Sequence, residues 1–86
     1  MTAERVEKLR QALVRALEPT LLEIRDDSAA HAGHAGAREG GHFHVRIASA
    51  RFAGLGPLAR HRLVYDAAGA LLRTDIHALS IDARLP

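Results

Sequence analysis

The chain has 86 residues, a formal net charge of +2 and no cysteine. That length accommodates one domain, residues 1–86, with one core, and the absence of cysteine excludes disulfides and thiolate metal sites built from this chain alone. Hydrophobic residues make up 48 % and charged residues 26 %, the balance of a protein held together by packing, and no apolar run approaches the ~20 residues of a membrane-spanning helix.

Thr2 is placed to cap a helix in which Val6, Leu9, Leu13 and Leu17 recur on one face, and Pro19 stops it. This first segment is amphipathic but carries Glu4, Glu7 and Glu18, which argues against a secretory signal and against a mitochondrial transit peptide. The expectation is a soluble, cytoplasmic protein with no membrane partner. "LLEIRD", Leu21–Asp26, is short, apolar and bounded by turn formers, and it reads as a strand. From Asp27 to Gly41 the chain is small, polar and glycine-rich, a loop of about fifteen residues, which inside a compact domain points to function or disorder.

"HFHVRIA", His42–Ala48, alternates strictly. Phe43, Val45 and Ile47 face one side; His42, His44 and Arg46 face the other. "FAGLGP" turns the chain. Pro57 opens a second helix, with Leu58, Leu63, Val64, Ala67 and Ala68 as its apolar stripe, and Gly69 ends or weakens it. "IHALSID", Ile76–Asp82, alternates again, with His77, Leu79 and Ile81 on one side and Ala78 and Ser80 on the other. The order is α-β-β-α-β, which implies an α+β fold with helices covering one face of a small mixed sheet.

Four of the six histidines, His31, His34, His42 and His44, lie in fourteen consecutive residues. Neutral imidazole is a ligand for zinc, copper and iron. His31 and His34 sit among glycines in the loop. His42 and His44, two apart on a strand, share a face and could grip one zinc if a third ligand arrived; a solvent-facing pair fits them as well. His61, between two arginines, reads as a surface or hydrogen-bonded histidine. His77 starts a strand on its core side, where a satisfied, semi-buried histidine and a ligand are both compatible with spacing.

No acidic residue falls between Arg46 and Arg62, so Arg46, Arg51, Arg60 and Arg62 form a basic stretch that hints at phosphate or an acidic protein. Ser28 has no nucleophile elbow around it, and neither "GHAG" nor "GLGP" has the glycine spacing or the lysine of a phosphate loop. The expectation is that the chain is not an enzyme.

"DDSAAHAGHAG", "GGHFHVRI", "FAGLGPLARHRLVY" and "IHALSIDARLP", in this order, resemble the successive blocks of the BolA family. The resemblance runs from about Leu21 to Pro86, with an N-terminal helix in the family's place. It implies a class II KH-like fold with a three-stranded mixed sheet. The RNA-binding GXXG loop of KH domains is absent, because Pro57 replaces its second glycine. Gly56 stands where family members often have Ser, which loosens that turn.

The resemblance also implies a partner. BolA-like proteins pair with monothiol glutaredoxins and share a [2Fe–2S] cluster with them, the glutaredoxin and its bound glutathione supplying the thiolates. Carried over by motif, the ligand from "IHAL" is His77. The loop ligand is His31, with His34 as its alternative. Without the glutaredoxin the chain is expected to hold no cluster and to be a monomer. The opposing expectation is a DNA-binding regulator that uses the Arg46–Arg62 surface, though aromatic residues for base stacking are almost absent.

Overall fold

Leu9, Leu13 and Leu17 repeat every fourth residue, and helix α1, Thr2–Leu17, brings them to one side, where each is at most 2 % exposed. The structure, a computed structural model, describes residues 2–27, 41–74 and 76–86, with the side chains of Thr2, Ala3 and His77 outside that description. The capping role expected of Thr2 therefore lies outside it as well. At the other end Glu18 takes a left-handed conformation (φ 47°), its N–H bonds the Val14 carbonyl at 3.1 Å, and Pro19 cannot extend the helix.

Strand β1, Leu21–Asp26, and strand β2, Gly41–Ala48, are antiparallel, with Ile24 opposite Val45. A single 3-10 turn, Ala50–Phe52, follows. Helix α2, Pro57–Ala68, and the one-turn helix α3, Leu71–Thr74, lead to strand β3, Ile76–Arg84. β3 lies parallel to β2, which requires a crossover, and α2 supplies it. The sheet order is β1-β2-β3, with β2 in the centre. None of the described helices is long and apolar enough to cross a membrane.

One face of the sheet meets the helices. Phe43, Val45, Ile47 and Leu79 from the strands pack with Leu9, Leu13 and Leu17 of α1 and with Val64 and Ala68 of α2. The other face is open and carries Glu23, Arg25, Arg46 and Ser80, all exposed, together with His44. The alternation in "HFHVRIA" thus has the expected sense.

The sequence pattern misplaces Leu58, which is 66 % exposed rather than part of the α2 stripe. At ~100° per residue it lies far round the helix from Val64 and Ala68, which define the buried side. Phe52, read as part of a turn, is fully buried in the 3-10 turn. That turn is fixed by Ser49, which is fully buried, donates its hydroxyl to the Leu17 carbonyl at 2.7 Å and accepts from the Arg51 N–H at 3.1 Å. One hydroxyl joins the end of α1 to the exit of β2.

Candidate functional site

β3 begins irregularly. Gly41 pairs with Ile76 and His42 with Ala78, so the register skips His77 and leaves it as the extra residue of a β-bulge. The burial pattern agrees: Ile76 and Leu79 are both buried, three residues apart, a step that strict alternation forbids and one inserted residue permits. A bulge in a parallel pair is uncommon, and bulges re-aim side chains next to functional sites.

The same end of the sheet holds both flanks of the segment that carries His31 and His34. Asp27 follows β1 and bonds its N–H to the His42 carbonyl at 2.7 Å; Gly41 opens β2 opposite Ile76. His31 and His34 lie outside the described residues, as does Ser28. The two described residues that flank that segment, Asp27 and Gly41, therefore both lie at the end of the sheet where the register shifts at His77. His42, half-buried, lines a shallow depression there with Asp27, Phe43, Ala78, Leu79 and Ser80.

The candidate donors of this chain are imidazoles without thiolate. That set fits the nitrogen side of a mixed-ligand centre, and a chain with no cysteine cannot complete such a centre itself. Among the described residues no group of three or more His, Asp or Glu gathers to hold a metal ion. His42 and His44 therefore find no third ligand there; instead His44 Nδ1 lies 3.1 Å from Ser80 Oγ. His61 stacks on Tyr65, ring centroids 4.8 Å apart.

The four arginines of the acid-free stretch stand on three different elements. Arg46 is on the open sheet face, 3.7 Å from Glu23. Arg51 pairs with Glu18 from the end of α1. On α2, Arg60 donates to the carbonyls of Leu55 at 2.9 Å and Ala83 at 3.5 Å, and Arg62 is exposed. Acidic partners distant in sequence stand beside two of the four arginines, Arg46 and Arg51. On the open face the Asp82 carboxyl is held below its ordinary range, first by its hydrogen bond from Arg84 and then by the charges of Arg84, Arg46 and His44.

Comparison with known proteins places the chain among relatives. Residues 13–86 match the family model described as BolA-like protein. The chain is 45 % identical over 78 residues to BolA-like protein 1 of Mus musculus, covering 91 % of this chain and 56 % of that protein. The chain spans about half the length of the first such relatives it matches. It is 37 % identical over 75 residues to the DNA-binding transcriptional regulator BolA of Escherichia coli, covering 87 % of this chain and 70 % of that one. Among solved structures, the BolA domain of SufE1 from Arabidopsis thaliana superposes with a TM-score of 0.84 at 44 % identity, covering 95 % of this chain and 92 % of that one.

Proposed function

Because the chain belongs to the BolA-like protein family, we propose that it is a cytoplasmic, non-enzymatic adaptor that supplies histidine ligands to a [2Fe–2S] cluster shared with a monothiol glutaredoxin and its glutathione. The observation that carries this reading is the bulge at His77, set beside both flanks of the segment bearing His31 and His34 in a chain without cysteine. His77 is the strand ligand, and its strand is paired to β2 on one side and tied to α2 on the other. His31 is the loop ligand, with His34 as its alternative. When bound, the cluster supplies one-electron chemistry, and imidazole in place of thiolate on one iron raises its reduction potential.

A BolA domain joined to a SufE-like protein in Arabidopsis thaliana is consistent with work near iron–sulfur chemistry. The second reading, DNA binding, draws on the name of the Escherichia coli relative. The geometry favours it less, since Arg46, Arg51 and Arg60 are engaged with acids or carbonyls and Arg46 lies across the sheet from α2.

The test is anaerobic co-purification with a monothiol glutaredoxin and glutathione, read by visible circular dichroism. The wild-type pair should be coloured and the isolated chain colourless. His77→Ala should remove the signal, whereas His31→Ala alone should weaken it and the double change at His31 and His34 should match His77→Ala. A cluster that survives His77→Ala but not His44→Ala would refute the assignment.

A further inference from the structure

The two edges of the sheet are treated differently. The bond from the Asp27 N–H to the His42 carbonyl fixes the parity of the ladder. On β2, residues 42, 44 and 46 turn their backbone groups to β1, so 43 and 45 turn theirs to β3. On β3, Leu79, Ile81 and Ala83 then face outward, away from β2. Two of these three carbonyls are occupied: the Tyr65 hydroxyl donates to Leu79 at 3.1 Å and Arg60 donates to Ala83 at 3.5 Å. α2 thus closes the β3 edge with two side chains.

At Leu22 and Ile24 of the β1 edge the described residues supply no such closure. By the same parity Leu22 and Ile24 direct their N–H and C=O groups away from β2, and among the described residues no side chain donates to them. An edge left in this state is a template for another strand. Its charges say which strand. Glu23 and Arg25, both exposed, stand on the open face on either side of the core-facing Ile24, and within the chain they lie 3.7 Å from Arg46 and 2.8 Å from Asp27, respectively.

We propose that the β1 edge is a homodimer interface, at which a second copy of this chain adds its own β1 antiparallel about a twofold axis at Ile24, making one six-stranded sheet. Ile24 then opposes Ile24 as a hydrogen-bonded pair, and Glu23 of each copy opposes Arg25 of the other. These are non-hydrogen-bonded positions, where cross-strand side chains approach most closely. Parity allows slips of two residues only. One slip sets Glu23 against Glu23, and the other sets Arg25 against Arg25. Both are repulsive, so the two charges select one register out of three. The interface is small and the association weak, and the monomer predominates at micromolar concentration. The surface runs along β1 and does not involve the β3 edge.

The absence of native cysteine makes the test clean. Glu23→Cys and Arg25→Cys proteins are prepared separately and mixed at high concentration under mild oxidation, with circular dichroism as a fold control. Opposed Cα atoms about 4.5 Å apart are within disulfide reach, whereas like positions on the diagonal at about 7–8 Å are not. Mixed disulfide dimers should dominate, and each variant alone should cross-link slowly. In sedimentation equilibrium on the uncrosslinked proteins, Glu23→Arg or Arg25→Glu should weaken self-association about tenfold. The double exchange, Glu23→Arg with Arg25→Glu, should restore it. Equal cross-linking of single variants, failure of the double exchange to restore association, or a wild-type chain that stays monomeric to millimolar concentration would each overturn the proposal.

Discussion

Replacing Ser49 with Ala removes one oxygen from the interior and orphans two backbone groups. The Ser49 side chain is fully buried and bonds the Leu17 carbonyl at 2.7 Å and the Arg51 N–H at 3.1 Å. The Leu17 carbonyl belongs to the last turn of α1, where no intrahelical donor reaches it. A buried acceptor left unsatisfied costs about 1–3 kcal/mol. Loss of the cap on the 3-10 turn adds about 0.5–1 kcal/mol, less than a fully buried donor because that position is partly solvated. The expected destabilisation is about 2–3 kcal/mol, which at about 4–8 °C per kcal/mol lowers the melting temperature by about 10–20 °C. Urea denaturation followed by circular dichroism measures it, with an unchanged slope showing that the folded state is intact. Ser80→Ala, at an exposed strand position, is the control and should change stability by under about 0.5 kcal/mol. If Ser49→Ala costs no more than Ser80→Ala, the hydroxyl is not what joins α1 to β2.

Gly69→Ala should cost about 1–2 kcal/mol, because φ 55° with ψ −128° is a glycine conformation while the added Cβ would meet only the Asp66 carbonyl at an ordinary 3.6 Å; a neutral result in thermal melts would contradict this. Leu13→Ala should lose about 2–5 kcal/mol by leaving a cavity between α1 and the sheet, read by chemical denaturation. Arg84→Ala should raise the Asp82 pKa toward its ordinary value, measured by carboxyl-carbon NMR titration. Since the folded pKa is lowered, the stability tied to it is present above the unfolded value and lost as pH falls through the folded one. The stability gap between wild type and Arg84→Ala should therefore shrink as the pH drops below about 4.

Local signals located most of the fold. Leu21–Asp26 is the observed β1 to the residue, and Pro57 and Gly69 bracket α2 as a fixed φ and a left-handed exit should. What local patterns could not locate was set by contacts across the chain. Alternation places Ile76 on the open face, yet pairing with Gly41 and the skipped residue His77 bury it with Leu79. β3 runs two residues past Asp82 because the N–H of Ser49, at the end of β2, bonds the Arg84 carbonyl at 3.2 Å. Ser49 itself looked like any turn serine; its importance depends on Leu17, 32 residues away. Within the candidate site, the motif identified His77, but the bulge that distinguishes it from a regular strand residue belongs to the β2–β3 pairing and has no signature in "IHAL" alone. The acidic neighbours of Arg46 and Arg51 were hidden for the same reason, since Glu23 and Glu18 precede the basic stretch in sequence and meet it only in the folded chain.

The central position of β2 also dictates an order of events during folding. Asp26 meets Phe43 across one connection, but Phe43 meets Leu79 only after α2 has been laid down between them. The second closure spans about twice the chain length, a difference of roughly 0.6 kcal/mol in loop entropy, and it must also wait for a crossover helix to form. The β1–β2 ribbon is therefore expected to assemble first and to offer the free side of β2 as a nucleus on which β3 docks late. Kinetically, Val45→Ala should slow folding, whereas Ile81→Val should mainly speed unfolding; φ-values that rank these two in the opposite order would contradict this route. The bulge at His77 lies in the late-forming pair, so the proposed ligand strand reaches its place only when the rest of the core has condensed.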